Sequence, residues 1–143
     1  MGYHQILVPM DGTLISEYVL AEVEKLAGAL DSQVTLLHVA APEGSGGNGN
    51  AAGNHPPRND VDGYLETIQR SLERRGVKVR RSFRSGTPAE EIAWYAREHN
   101  TSMVVMSTHG GWNSEASSVA AQVLDMVSVP VTMLKVPQRV AAL

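Results

Sequence analysis

The chain has 143 residues, 43 % hydrophobic and 19 % charged, with a formal net charge of −3 and no cysteine. That balance fits one globular domain over residues 1–143, and the missing thiols exclude disulfide frameworks, thiolate metal sites and cysteine nucleophiles. The charge gives no general pull toward nucleic acid, no apolar run reaches the ~18 residues of a membrane span, and no basic segment precedes an apolar stretch at the N-terminus. A cytoplasmic protein without nucleic-acid or membrane partners is the expectation.

Ile6-Leu7-Val8 is a short apolar run that reads as a buried strand closed by Pro9. Ile15, Val19, Val23, Leu26, Ala27 and Leu30 then recur at spacings of three and four, the period of an amphipathic helix, with Thr13 or Ser16 to cap it. A second strand follows at Val34 to Val39. Val61, Tyr64, Leu65, Ile68 and Leu72 predict a second helix, which Gly76 is placed to stop. Val77, Val79 and Phe83 alternate with Lys78, Arg80 and Arg84, the period of a strand.

Thr87-Pro88-Ala89-Glu90 predicts a helix start in which Thr87 caps the first turn, Glu90 reaches back and Pro88 costs no hydrogen bond. Ile92, Ala96 and His99 should face inward, and Trp94 and Tyr95 read as packing residues. Met103 to Met106 is apolar on both faces, as in the middle of a covered sheet. The loop from Ser107 to Asn113 leads to a helix with Ala116, Val119, Ala120, Val123 and Val127 inward, and the last strand is Val131 to Val136.

The order β-α-β-α-β-α-β-α-β predicts a doubly wound, five-stranded, mainly parallel sheet with helices on both faces. Residues 41–59 hold five glycines, four asparagines and three prolines, and read as a flexible loop between the second strand and second helix. Such a loop serves as a solvated linker or as a flap over a ligand.

Ligands of doubly wound sheets sit outside the carboxyl ends of the strands, where strand order reverses. Pro9-Met10-Asp11-Gly12-Thr13 follows strand one. Ser107-Thr108-His109-Gly110-Gly111-Trp112-Asn113 follows strand four, with Ser114, Ser117 and Ser118 at a helix start. Paired glycines allow close backbone approach, and hydroxyls with helix N-terminal amides suit phosphate oxygens. Asp11 suits a ribose or an amide. Both segments also read as plain turns; no GxxxxGK[ST] is present, and no GxGxxG directly follows a strand.

The segments Ile6-Leu7-Val8-Pro9-Met10-Asp11-Gly12-Thr13, Val34-Thr35-Leu36-Leu37-His38-Val39 and Gly86-Thr87-Pro88-Ala89-Glu90-Glu91-Ile92 resemble the universal stress protein family. So do Met103 to Gly110, Ser118-Val119-Ala120 and Val129-Pro130-Val131. The resemblance covers nearly the whole chain outside residues 41–59. It implies a five-stranded Rossmann-like fold of the adenine nucleotide alpha hydrolase type, often a homodimer through the last strand (131–136), and in many members bound ATP or AMP. Carried over by position, it implicates Pro9, Asp11 and Gly12 after strand one, and Val39 and Ala40 at the end of strand two. In the late motif it implicates Ser107, His109, Gly110, Ser117 and Ser118.

The chain departs from the family's G-x2-G-x9-G-[ST] pattern: Ser107 and Ser117 stand where glycines are expected, and the loop from Gly110 to Ser117 is short. Glu115, near the first turn of the following helix, opposes phosphate. Nucleotide binding and a ligand-free dimeric interaction domain therefore both stand as readings, and no catalytic residue or catalysed reaction is assigned.

His4, His38, His55, His99 and His109 form no metal-ligand pattern, so no metal is expected, and His38 reads as a structural strand residue. The basic run Arg70, Arg74, Arg75, Lys78, Arg80, Arg81 and Arg84 reads best as protection of an exposed edge strand. Trp112 is either a lid or an interface residue. A phosphorylatable receiver domain is excluded, because Asp11 has no acidic neighbour and strand three ends in Arg84-Ser85-Gly86.

Overall fold

A computed structural model of the chain describes residues 4–10, 17–40, 58–107 and 113–134. The elements run β1 (His4–Met10), α1 (Glu17–Leu30), β2 (Ser32–Ala40), α2 (Arg58–Arg74), β3 (Val79–Ser85), α3 (Pro88–Glu98), β4 (Met103–Ser107), α4 (Asn113–Met126) and β5 (Val131–Leu134). The five strands form one parallel sheet in the order β3-β2-β1-β4-β5. Among the described residues no helix is long and apolar enough to cross a membrane.

Side-chain alternation along the strands feeds two cores. Ile6, Val8, Val34 and Leu36 pack with Val19, Val23, Leu65 and Leu72 of α1 and α2. Leu7, Leu37, Val39, Val104 and Met106 pack with Ala89, Ile92 and Tyr95 of α3 and with Val123 of α4. Each fully buried Leu, Ile or Val contributes about 1.5–3 kcal/mol relative to exposure. The central strands are apolar on both faces because both faces are covered.

Two helices end in the same left-handed device. After α2, Gly76 has φ +91, Val77 N–H donates to Leu72 O and Gly76 N–H to Glu73 O. After α3, Asn100 has φ +52 and Thr101 N–H donates to Ala96 O. Both satisfy carbonyls that the last helical turn leaves open.

Several expectations change. Pro9 does not close β1; it is buried inside the strand, level with Leu37 of β2. The second helix begins at Arg58, so the segment read as loop is already helical at its last two residues, while 41–57 lie outside the described residues. Thr87 is the N-cap of α3 by backbone geometry, yet its hydroxyl makes no capping hydrogen bond. The capping box is therefore absent. Glu91, one residue beyond the expected partner, turns toward Gly86 and Arg84 instead.

Tyr95 is buried as expected, but Trp94 is 46 % exposed, because it lies on the side of α3 away from the sheet. The basic run spans the end of α2, the turn after it and β3. Arg70 pairs with Glu66, Arg75 with Glu24, Arg81 with Asp62 and Arg84 with Glu91 and Glu98, and β3 is an edge strand. Lys135 and Val136 of the expected last strand lie outside the described residues.

Candidate functional site

Strand order reverses at β1. Its successor β2 lies on one side, and β4, reached by a crossover, lies on the other. At such a reversal the connections leave in opposite directions, and the space above the carboxyl ends is not covered by a crossover. The edge is built from Met10 of β1, Ala40 of β2 and Ser107 of β4.

The sequence-derived residues distribute around it as follows. Pro9 is the buried penultimate residue of β1, Val39 and Ala40 are the last two of β2, and Ser107 ends β4, half-buried. Asp11, Gly12, His109, Gly110 and Trp112 lie outside the described residues. Helix α4 begins at Asn113, which places Ser114 and Glu115 in its first turn and Ser117 and Ser118 in its second. The helix amides without an intrahelical acceptor are thus those of the first turn.

Backbone register separates the two β2 residues. Val34 N–H donates to Lys78 O and Gly86 N–H to Ala40 O, so the even-numbered residues of β2 bond toward β3. By the alternation of a parallel ladder, the odd-numbered residues bond toward β1. Among the described residues, Met10, level with His38, is the last paired residue of β1. The carbonyl of Val39 is accordingly directed to the β1 side one step beyond that pair, whereas the carbonyl of Ala40 is already engaged by Gly86. Of the two, Val39 is the one whose backbone faces the reversal point.

His38 adds a contact that the sequence reading missed. Its ring is buried, and Nδ1 lies 3.0 Å from Met10 O. A carbonyl only accepts, so Nδ1 carries the proton and donates. Phe83 meets the ring edge-on at a centroid distance of 6.1 Å. The signal was present in sequence: a histidine near the end of one strand, in register with the end of its neighbour. Only the pairing shows that the two ends coincide.

Farther along the edge, Arg84 is level with Val39 and lies over the ring of Tyr95, 5.2 Å from its centroid. It pairs with Glu98 and, at 3.5 Å, with Glu91. The hydrogen bond with Glu98 holds the guanidinium above, and the Glu98 carboxyl below, its ordinary value. This cation is committed to its carboxylates rather than offered to an incoming anion.

Among the described residues no group of three His, Asp or Glu could hold a metal ion. A cleft of about 250 Å³ lined by Glu24, Asp31, Arg75 and Lys78 lies where α1 and α2 end, across the sheet from the strand carboxyl ends. The described edge itself offers carbonyl, amide and hydroxyl groups. That chemistry suits recognition of a polar ligand by hydrogen bonding.

A model of the universal stress protein family matches residues 2–135. Universal stress protein MJ0531 of Methanocaldococcus jannaschii is 25 % identical over 148 residues, covering 96 % of this chain and 85 % of that protein. Among solved structures, hypothetical protein MJ0577 superposes with a TM-score of 0.76 at 27 % identity, covering 96 % of this chain and 99 % of that one. The universal stress protein from Archaeoglobus fulgidus in complex with dAMP superposes with a TM-score of 0.68, a likeness of fold at 20 % identity, covering 94 % and 100 %.

Proposed function

We propose, from the premise that this chain belongs to the universal stress protein family, that it is a cytoplasmic, dimeric binding module for an adenine nucleotide, ATP or AMP. The nucleotide sits above the carboxyl ends of β1, β2 and β4. The observation that carries the reading is the reversal of strand order at β1, with the carbonyl of Val39 directed to that point while Ala40's is engaged. A structural neighbour solved with dAMP supports the ligand class.

In this reading Asp11 orients the ribose, Val39 and Ala40 flank the base, and Val39 supplies the backbone contact. Pro9 sits beneath the site inside β1, and Gly12 shapes the first loop. Ser107, His109, Gly110, Ser117 and Ser118 serve the phosphates, alongside the first-turn amides of α4. Glu115 in that turn opposes a highly charged phosphate chain, so AMP is favoured over ATP. No metal and no catalytic residue is assigned. Titration calorimetry with ATP, AMP and cyclic AMP tests the reading; no heat and no thermal shift at millimolar ligand overturns it.

The homodimer is assigned to β5. Among the described residues no further strand pairs with either edge of the sheet, but β3 carries Arg80, Arg81 and Arg84, whereas β5 reads Val131-Thr132-Met133-Leu134 without a charge. Charges on an edge strand discourage pairing with another chain, so β5 is the edge left able to pair. Exposed Met133 supports the same surface. A dimer that binds no nucleotide in the calorimetry would favour a ligand-free interaction domain instead.

A further inference from the structure

The hydrogen bonding of the seam between β1 and β4 can be followed residue by residue. Even-numbered residues of β2 serve β3, so odd-numbered residues of β2 meet even-numbered residues of β1. The odd-numbered residues of β1 are left to serve β4. Gln5 does so: its carbonyl accepts from Ser102 N–H, and its N–H donates to Ser102 Oγ. Ser102 lies just ahead of β4 and outside its alternation; within β4, Val104 N–H donates to Pro130 O, so even-numbered residues serve β5 and odd-numbered ones serve β1. After the Leu7–Val104 pair, the next rung would run from the N–H of residue 9 to the carbonyl of Val105.

Residue 9 is proline, so that rung has no donor. A ring methylene stands where the hydrogen would be, and carbon–oxygen contacts keep about 3.3–3.6 Å where an N–H···O bond closes to about 2.9 Å. Pairing of β1 with β4 accordingly covers Ile6–Met103 and Leu7–Val104, while pairing of β1 with β2 runs all the way from His4 to Met10. Proline is normally confined to edge strands, bulges and strand starts. Here it is buried in the middle strand of five.

We propose that Pro9 is a positioning residue: by removing one rung at the reversal point, it keeps the ends of β1 and β4 from zipping together and so holds open the space a ligand enters. The part concerning the ligand rests on the nucleotide reading above; the part concerning the seam does not. The device is local. It leaves the β1–β2 ladder and the His38–Met10 contact intact, so the loosening is confined to the β4 side of β1.

The test is Pro9→Val, which restores the donor and keeps a β-branched strand former. Amide hydrogen exchange read at residue 9 should show protection comparable to that of Leu7, with the melting temperature changed by no more than about 3 °C. AMP affinity measured on the same sample should fall at least about tenfold, or about 1.4 kcal/mol. A residue with a merely structural role would lose stability along with binding, not gain amide protection while binding weakens. Fast exchange of the restored amide overturns the seam assignment. Protection of that amide with unchanged AMP affinity overturns the positioning role. If the wild-type chain binds no AMP, the nucleotide reading and the ligand part of this proposal fall together, while exchange at residue 9 of the variant still decides the seam.

Discussion

The Nδ1 atom of His38 donates to the carbonyl oxygen of Met10 across 3.0 Å, tying a buried side chain of β2 to the end of β1. Everything that leaves β1 toward the candidate site departs from this fixed point. A net hydrogen bond of this kind contributes about 1 kcal/mol, and deleting a buried ring adds a packing loss.

His38→Ala should therefore lower unfolding stability by about 2 kcal/mol. His38→Asn, whose amide nitrogen can occupy the position of Nδ1, should lose less. Urea unfolding of both variants measures the difference. Equal losses would show that packing against Phe83, and not the Met10 contact, is what His38 provides.

Gly86 has φ +148, and a Cβ there would stand 2.6 Å from Glu91 Oε2. Gly86→Ala should cost about 1–3 kcal/mol, part from the backbone and part from displacing Glu91 away from Arg84. In a Glu91→Ala background the second part disappears and the backbone part remains. The double variant should thus be less destabilised by the Gly86 change than the single one, as read by chemical denaturation.

The carboxyl of Glu98 is held below its ordinary value of 4.5, chiefly by the hydrogen bond from Arg84. A group depressed in the folded state stabilises above its unfolded value, and that contribution is lost as pH falls through the folded value. Glu98→Gln should therefore be less stable than the parent at neutral pH, and the gap should close as pH drops below 4.5. The pair is exposed, so the gap should be small and should shrink in high salt. A gap that widens on acidification would reverse the assignment.

The proposed dimer edge can be blocked without touching the sheet. Val104 N–H donates to Pro130 O, so β5 bonds to β4 through even-numbered residues and Met133 directs its amide outward. Met133→Pro removes that outward donor and leaves the β4 ladder in place. Light scattering should show the wild-type chain at twice the monomer mass and the variant at the monomer mass. A variant that stays dimeric would move the interface away from β5.

Fold class was readable in the sequence, because periodicity records burial. Val104 and Val105 sit in an unbroken apolar run since both faces of β4 are covered, and Val61, Leu65, Ile68 and Leu72 recur because one side of α2 faces the sheet. Local hydrogen-bond competition was less readable. Thr87-Pro88-Ala89-Glu90 has the composition of a capping box, but Glu91 rather than Glu90 turns back, since Arg84 of β3 lies within its reach. Nothing within that tetrapeptide announces the arginine.

The amino-acid order alone determined that strands and helices alternate, that Gly76 stops a helix and that basic side chains gather on one strand, because each depends on neighbours a few residues away. Tertiary structure decided the rest. That β1 lies between β2 and β4, that His38 meets Met10, that Val39 and not Ala40 turns its carbonyl to the reversal point, and that Pro9 removes a rung from the central seam all follow from strand order and register. Those are set by how distant segments pack around two shared cores, and no local window of sequence contains that information.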